Sequence, residues 1–292
     1  MENTNKPIQW FPGHMTRTRR KMKESLSLVD IVVEILDARI PMSSRNPDLD
    51  ELVGNKPRMV VLNKADMADR QATEKWIQWC QDGGIPAICM DAKTGKGIAD
   101  FMPTIRRALA DRIAEWKAKG MINRAIRVMV VGIPNVGKSS LINRLAKGGK
   151  AKVEDRPGVT RNNQWFVIEG GAQLLDTPGV LWPKFEDQTV AKRLAFTGAI
   201  RDQVLDCEEL ACELLNTLSA EYAPLLKERY KLTDDQLVED SWELLQNIGR
   251  KRGMLISGGE VNTERASIML LDEYRGGKLG KISLEWPPKG RR

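Results

Sequence analysis

The sequence predicts an α/β fold, a mostly parallel six-stranded sheet between helices, with a small all-α domain after it. Three observations carry that prediction. Short, nearly continuous apolar runs alternate with stretches of helical period as far as residue 176, the pattern of strands buried on both faces and joined by crossover helices. One such run, Val128-Met129-Val130-Val131, enters Gly132-Ile133-Pro134-Asn135-Val136-Gly137-Lys138-Ser139-Ser140 and then a helical segment, Leu141 to Leu145. That is the strand, glycine-rich loop and helix of a phosphate-binding loop. Beyond Trp182-Pro183-Lys184 the strand signals stop and helical patterns remain. The expected domains are therefore residues 1–183, α/β, and 184–292, helical.

In chain order, residues 7–16 are irregular, because Pro7, Pro12 and Gly13 discourage a helix. A basic patch, Arg17, Arg19, Arg20, Lys21 and Lys23, leads into a helix ending near Leu28. Asp30 to Leu36 reads as a buried strand, Pro41 to Pro47 as a loop and Asp48 to Val53 as a short helix. Arg58 to Leu62 is a second strand, Thr73 to Gln81 a helix, and Ile85 to Met90 a third strand. One long helix is expected from Asp100 to Lys119, with Phe101, Ile105, Leu109, Ile113 and Trp116 on a single face that packs on the sheet. Arg127 to Val131 feeds the glycine-rich loop. Lys147-Gly148-Gly149 closes the following helix, and residues 150–162 form a loop. Gln164 to Ile168 and Gln173 to Leu175 flank Gly170-Gly171, a hairpin signal, so this pair is antiparallel. In the second domain Asp206 with Glu209 and Asp240 with Glu243 open helices as capping boxes. Thr263 to Tyr274 is the last clear helix.

With 292 residues and 41% hydrophobic content, the chain can bury one large core or two ordinary ones. No apolar run approaches the ~20 residues of a membrane span. Met1 to Gln9 is polar and short, unlike a signal peptide. A cytoplasmic protein without a membrane partner is expected. Cys80, Cys89, Cys207 and Cys212 lack metal-ligand spacing and read as reduced thiols. A net charge of +7 favours a polyanionic partner such as nucleic acid.

The motifs name the chemistry. Glycines in the loop let the backbone wrap a phosphate, with N–H groups inward and the positive helix end behind them. Lys138 would reach the β- and γ-phosphates, and Ser139 would offer its hydroxyl to Mg²⁺; Asn135, Val136, Gly137 and Ser140 complete the binding stretch. Asp176-Thr177-Pro178-Gly179 ends the second hairpin strand, offering the Asp176 carboxylate to the Mg²⁺ shell and the Gly179 N–H to the γ-phosphate. In Pro157-Gly158-Val159-Thr160-Arg161, Thr160 is the candidate switch residue that completes Mg²⁺ coordination.

Asn63-Lys64-Ala65-Asp66 ends the second strand. Asp66 can accept bonds from guanine N1–H and its 2-amino group, donors that adenine lacks, and a mismatch of that kind is worth roughly 10⁴-fold or more. Asn63 and Lys64 would brace that loop and cover the base. Asp91-Ala92-Lys93-Thr94-Gly95 ends the third strand and is similar to the Ser-Ala-Lys segment of GTPases, with Asp91 in the serine position and the Ala92 N–H directed at guanine O6. Each tetrapeptide alone is a common turn; together with the glycine-rich loop they specify GTP and GDP.

GTPases ordinarily run from the phosphate loop through the switch threonine and Asp-x-x-Gly to Asn-Lys-x-Asp and Ser-Ala-Lys. Here the last two come first. The same sheet forms if the chain is cut elsewhere and its old ends joined, and the Asp100–Lys119 helix followed by the Arg127 strand is that join. The domain is a circularly permuted P-loop GTPase.

That order, with Trp10-Phe11-Pro12-Gly13-His14-Met15, Asp37-Ala38-Arg39-Ile40-Pro41 and Arg275-Gly276-Gly277-Lys278-Leu279-Gly280, resembles the ribosome biogenesis GTPase A family over essentially the whole chain. The resemblance implies action on the large ribosomal subunit and its precursors, C-terminal helices that contact rRNA, and hydrolysis stimulated by the subunit. Pro134-Asn135 in the phosphate loop resembles GTPases activated by potassium, which implies K⁺ near the transferring phosphate, held with Asn135. Val180 stands where many GTPases carry a water-orienting glutamine. The resemblance offers His14, the single histidine, as the substitute; the other reading gives His14 a structural place in its loop. Two further functions are open: an rRNA-binding module using GTP only as a conformational ligand, and a GTPase acting on another structured RNA. A monomer is favoured.

Overall fold

In the computed structural model the described residues are 22–146, 164–168, 170–176, 187–200 and 206–288. They group into two compact units, one comprising 22–176 with 285–288 and the other 187–284. The predicted cap at Lys147–Gly149 and the loop 150–162 lie outside the described residues.

The first unit is built on β1 (Ile31–Asp37), β2 (Arg58–Asn63), β3 (Ala87–Cys89), β4 (Arg127–Val131), β5 (Gln164–Val167) and β6 (Gln173–Asp176). They form one sheet in the order β3-β2-β1-β4-β6-β5, parallel everywhere except at β5 and β6. All seven residues of β1 are buried, as its unbroken apolar run requires. The chain moves outward from β1 through β2 to β3 on one side, and on the other runs from β4 to the edge strand β5 and back to β6. The β1–β4 seam is therefore a topological switch point, where open α/β sheets bind ligands beyond the strands' carboxyl ends.

Helices α1 (Leu49–Val53), α2 (Arg70–Asp82), α3 (Phe101–Ala108), α4 (Ala110–Ala118) and α5 (Lys138–Leu145) accompany the sheet. Trp76 and Cys80 of α2 pack with Val60, Leu62 and Ala87. Leu49 and Val53 of α1 pack with Val32, Met129 and Val131. α2 begins three residues before its predicted start because the Asp69 side chain caps it, accepting the Ala72 N–H at 2.8 Å. The edge strand β3 is shorter than the predicted Ile85–Met90.

The expected long helix over 100–119 is two helices. Leu109 departs from helical dihedrals (φ −110°, ψ 15°), although Leu109 N–H still donates to Ile105 O and Ile113 N–H to Leu109 O. Phe101, Ile105 and Leu109 are fully buried, whereas α4 has no buried residue. The break lets the second half of the apolar stripe leave the sheet.

The second unit holds α6 (Gln188–Phe196), α7 (Cys207–Glu221), α8 (Ala223–Tyr230), α9 (Ser241–Lys251) and α10 (Thr263–Arg275). Asp206 accepts the Glu208 and Glu209 N–H groups and Asp240 the Glu243 N–H, so both predicted caps satisfy helix-terminal donors. Leu214, Leu218, Leu245, Ile248 and Leu270 form its apolar interior. No described helix is long and apolar enough to cross a membrane.

The expected division assigned everything after residue 183 to the helices. Residues 285–288 instead group with the sheet. The buried Glu285 carboxylate accepts the Met42 N–H at 2.7 Å, the Ser43 N–H at 3.1 Å and the Ser43 hydroxyl. The Trp76 indole N–H donates to Glu285 O at 3.1 Å.

Candidate functional site

The loops that follow β1, β2, β3 and β4 leave the same edge of the parallel sheet, joined there by the end of β6. Val131 opens into Gly132, and α5 begins at Lys138. Gly137 lies in the left-handed region (φ +104°), and a Cβ there would run into the Asn63 side-chain amide, so only glycine lets the two loops approach. Asn135 is also left-handed (φ +57°), a conformation asparagine tolerates better than most residues. Lys138 folds back over its own loop, donating from Nζ to Gly132 O at 2.9 Å and Ile133 O at 2.8 Å. Burial brings its pKa down to about 8, against the attraction of Asp176.

Asn63 ties three loops together. Its Nδ2 donates to Val136 O at 2.7 Å, and its Oδ1 accepts the Ala92 N–H at 2.9 Å. The Ala92 N–H that the sequence directs at guanine O6 is thus given to Asn63 in this structure. Asp91, the residue in the serine position, accepts the Lys93 N–H at 2.8 Å and the Thr94 hydroxyl, which shapes the turn from within. Lys93 and Asp66 are exposed, Ala65 is half-buried, and Ser139 and Ser140 are exposed on the first turn of α5.

Lys64 is held from below. It adopts φ +60°, and its Nζ lies 2.9 Å from Asp37 Oδ2. Asp37 also takes the Arg39 guanidinium on both oxygens, at 2.9 and 2.8 Å. Burial alone would raise the Asp37 pKa, but Arg39 and Lys64 outweigh it and hold the carboxyl far below the usual range. Asp37 pairs with Asn63 in the β1–β2 register, so the ion cluster sits beside the base-reading motif. Sequence reasoning gave Asp37 and Arg39 no role of their own. The available signal was a charged pair directly ending an apolar strand.

Asp176 ends β6 level with Val130 on β4. Among the described residues no group of three His, Cys, Asp or Glu side chains could cage a metal. A hydroxyl at the helix start with one carboxylate at the end of the neighbouring strand β6 suits Mg²⁺, which keeps waters and takes phosphate oxygens rather than a protein cage. His14, Thr160, Gly179 and Val180 lie outside the described residues.

The 50S ribosome-binding GTPase family model matches residues 127–239. Ribosome biogenesis GTPase A of Bacillus cereus is 49% identical over 280 residues, covering 96% of this chain and 94% of that protein. This chain belongs to the ribosome biogenesis GTPase A family. It is a GTP hydrolase of ribosome biogenesis and binds guanine nucleotide. A GDP-bound YlqF structure matches with a TM-score of 0.63 at 27% identity, covering 92% of this chain and 99% of that one. A GNP-bound YlqF structure from T. maritima matches with a TM-score of 0.62 at 26% identity. In this member of the ribosome biogenesis GTPase A family the matched segment starts at β4. Asn63–Asp66 and Asp91–Lys93 thus lie upstream of it, as the permuted order requires.

Proposed function

We propose that this GTPase works on the large ribosomal subunit and its precursors, binding rRNA in a GTP-dependent way and hydrolysing GTP faster when the subunit is bound. The observation that carries the nucleotide part of the reading is the Asn63 bridge, which ties the base-reading and phosphate-binding loops together. Asp66 reads the guanine edge, with Lys64 over the base and the Asp91–Lys93 turn behind it. The loop from Asn135 to Ser140 wraps the phosphates, and Lys138 exchanges its two carbonyl partners for phosphate oxygens. Ser139, Asp176 and Thr160 are the proposed Mg²⁺ ligands, with the Gly179 N–H on the γ-phosphate; Mg²⁺ supplies charge neutralisation at the β- and γ-oxygens. Asn135 is the proposed K⁺ ligand. The family model's description as 50S ribosome-binding supports the large subunit as partner. The chain acts in this reading as a cytoplasmic monomer.

Val180 cannot orient water, and His14 takes that task in this reading because the family resemblance offers it, as catalytic histidines commonly perform it. The test is single-turnover hydrolysis with saturating large-subunit particles. Wild type should be strongly stimulated, and His14→Ala should keep GTP and particle affinity but lose most of the stimulation. Absence of stimulation in wild type would leave a binding module; equal stimulated rates would remove His14 from catalysis.

A further inference from the structure

Several features meet at the end of the sheet opposite the nucleotide motifs. Ile113 and Trp116 of α4 are only half-buried, and Ile122, in the connection from α4 to β4, is 75% exposed. A cavity of about 510 Å³ lies between α4, this connection and the Gly170-Gly171 turn. Arg106, Lys117 and Arg124 line it, with no carboxylate among the described lining residues. The Arg124 guanidinium lies over the Trp116 ring at 3.9 Å and pairs with Asp30 at 2.8 Å.

More positive charge stands behind Asp30. Arg112 donates to Asp30 O at 3.2 Å and Lys56 to Val29 O at 2.7 Å. Burial chiefly, and then the neighbouring Arg112, push the Lys56 pKa down against the attraction of Asp30. Cations outnumber carboxylates here, and an apolar, aromatic floor lies between them. That combination matches single-stranded RNA, whose phosphates seek the cations while an unstacked base seeks an aromatic or guanidinium plane. An apolar protein segment would gain nothing from the crowded charge.

We propose that this groove binds single-stranded RNA, with Arg106 and Lys117 on phosphates and a base stacked against the Trp116–Arg124 pair. The proposal rests on the rRNA reading above and adds a place for RNA on the sheet unit itself, made by the segment that joins the permuted halves. The five residues of β4 separate this end from the phosphate loop, about 17 Å at strand rise, so RNA here leaves the nucleotide site open.

The probe is a fluorescein-labelled single-stranded RNA of mixed sequence, about 15 nucleotides long, within reach of one binding groove. It is titrated onto the full chain by anisotropy across a salt series, with cosedimentation of wild type on large-subunit particles beside it. The double variant Arg106→Glu/Lys117→Glu should flatten the slope of log affinity against log salt by about 1.4, ~0.7 for each phosphate left without its cation. Trp116→Ala should weaken binding roughly 5- to 150-fold at an unchanged slope. Both should bind GDP like wild type, which also reports that they fold. If wild type binds RNA and neither variant differs from it, the groove is excluded while the rRNA reading stands. If wild type binds neither RNA nor particles, both readings fail. A flat salt response with loss only in Trp116→Ala would mean that Arg106 and Lys117 take no phosphates, and would overturn the proposal.

Discussion

Asp37→Asn tests the support beneath the base-reading loop. The wild-type carboxylate holds Arg39, which is 1% exposed, through two charge-assisted bonds, and holds Lys64 at 2.9 Å. The amide keeps the shape but removes the charge, so a buried guanidinium loses its counter-ion. Breaking a buried pair in this way costs about 3–5 kcal/mol. For a unit of this size each kcal/mol lowers Tm by roughly 2–4 °C, which puts the expected drop at roughly 6–20 °C. Lys64 also loses its anchor, so GDP affinity should fall with stability. The pH dependence has a defined sign. The folded carboxyl titrates well below its ordinary value of 3.8, so its stabilisation is fully present above that value and is lost as pH falls through the depressed one. The gap between wild type and variant should therefore be constant near neutrality and close only in strong acid. Thermal and urea unfolding with a parallel GDP titration measure both effects. A loss below about 1 kcal/mol, in the range of an exposed pair, with unchanged GDP affinity would refute the assigned support.

Asp66→Asn should weaken GTP binding and favour xanthosine nucleotides, because the amide matches a carbonyl at the purine 2-position; wild-type GTP affinity in the variant would exclude Asp66 as the base reader. Lys138 should tie affinity to pH. With burial bringing its pKa down to about 8, it is charged below that value and must take up a proton to meet phosphate above it, so GDP affinity should decline as pH rises through about 8, and a flat calorimetric profile across that range would contradict it. Glu285→Gln should destabilise the sheet unit by roughly 1–3 kcal/mol, because the amide turns a donor toward the N–H and hydroxyl groups that the carboxylate accepts. A melting temperature equal to wild type would mean that the tail contributes nothing there.

The central strands were readable because a strand buried on both faces must be apolar at every position, as Ile31–Asp37 nearly is, and the single antiparallel pair because Gly170-Gly171 marks a hairpin turn. The motifs were readable because phosphate and guanine demand particular atoms at particular spacings. Other features carry no such local mark. Arg39 beside Asp37 looks like any solvated pair until both are seen buried. Glu285 finds its donors 242 residues away, a separation that local pattern does not encode. The stripe from Phe101 to Trp116 keeps helical period through Leu109, so the turn of the chain there was invisible, and Ile113 and Trp116 were misassigned to the sheet. The Ala92 N–H was given to guanine on motif grounds; Asn63 competes for the same donor, and only the fold places the two loops in reach.

The permuted order also explains where the polar anchors lie. β1 to β3 and β4 to β6 meet only along β1 and β4, over the four paired residues Ile31–Glu34 and Val128–Val131. At the start of that seam Asp30 holds Arg127 by main chain and side chain, accepting its N–H at 2.8 Å and donating to its carbonyl at 2.8 Å. At the far end Asn63, from the first half, holds Val136, from the second. A guanine nucleotide touching Asp66 and Lys138 would span the same seam, and a ligand that binds only the folded state stabilises it by mass action. Base recognition in one half and phosphate recognition in the other would therefore be coupled through sheet pairing, independent of which chain ends are joined.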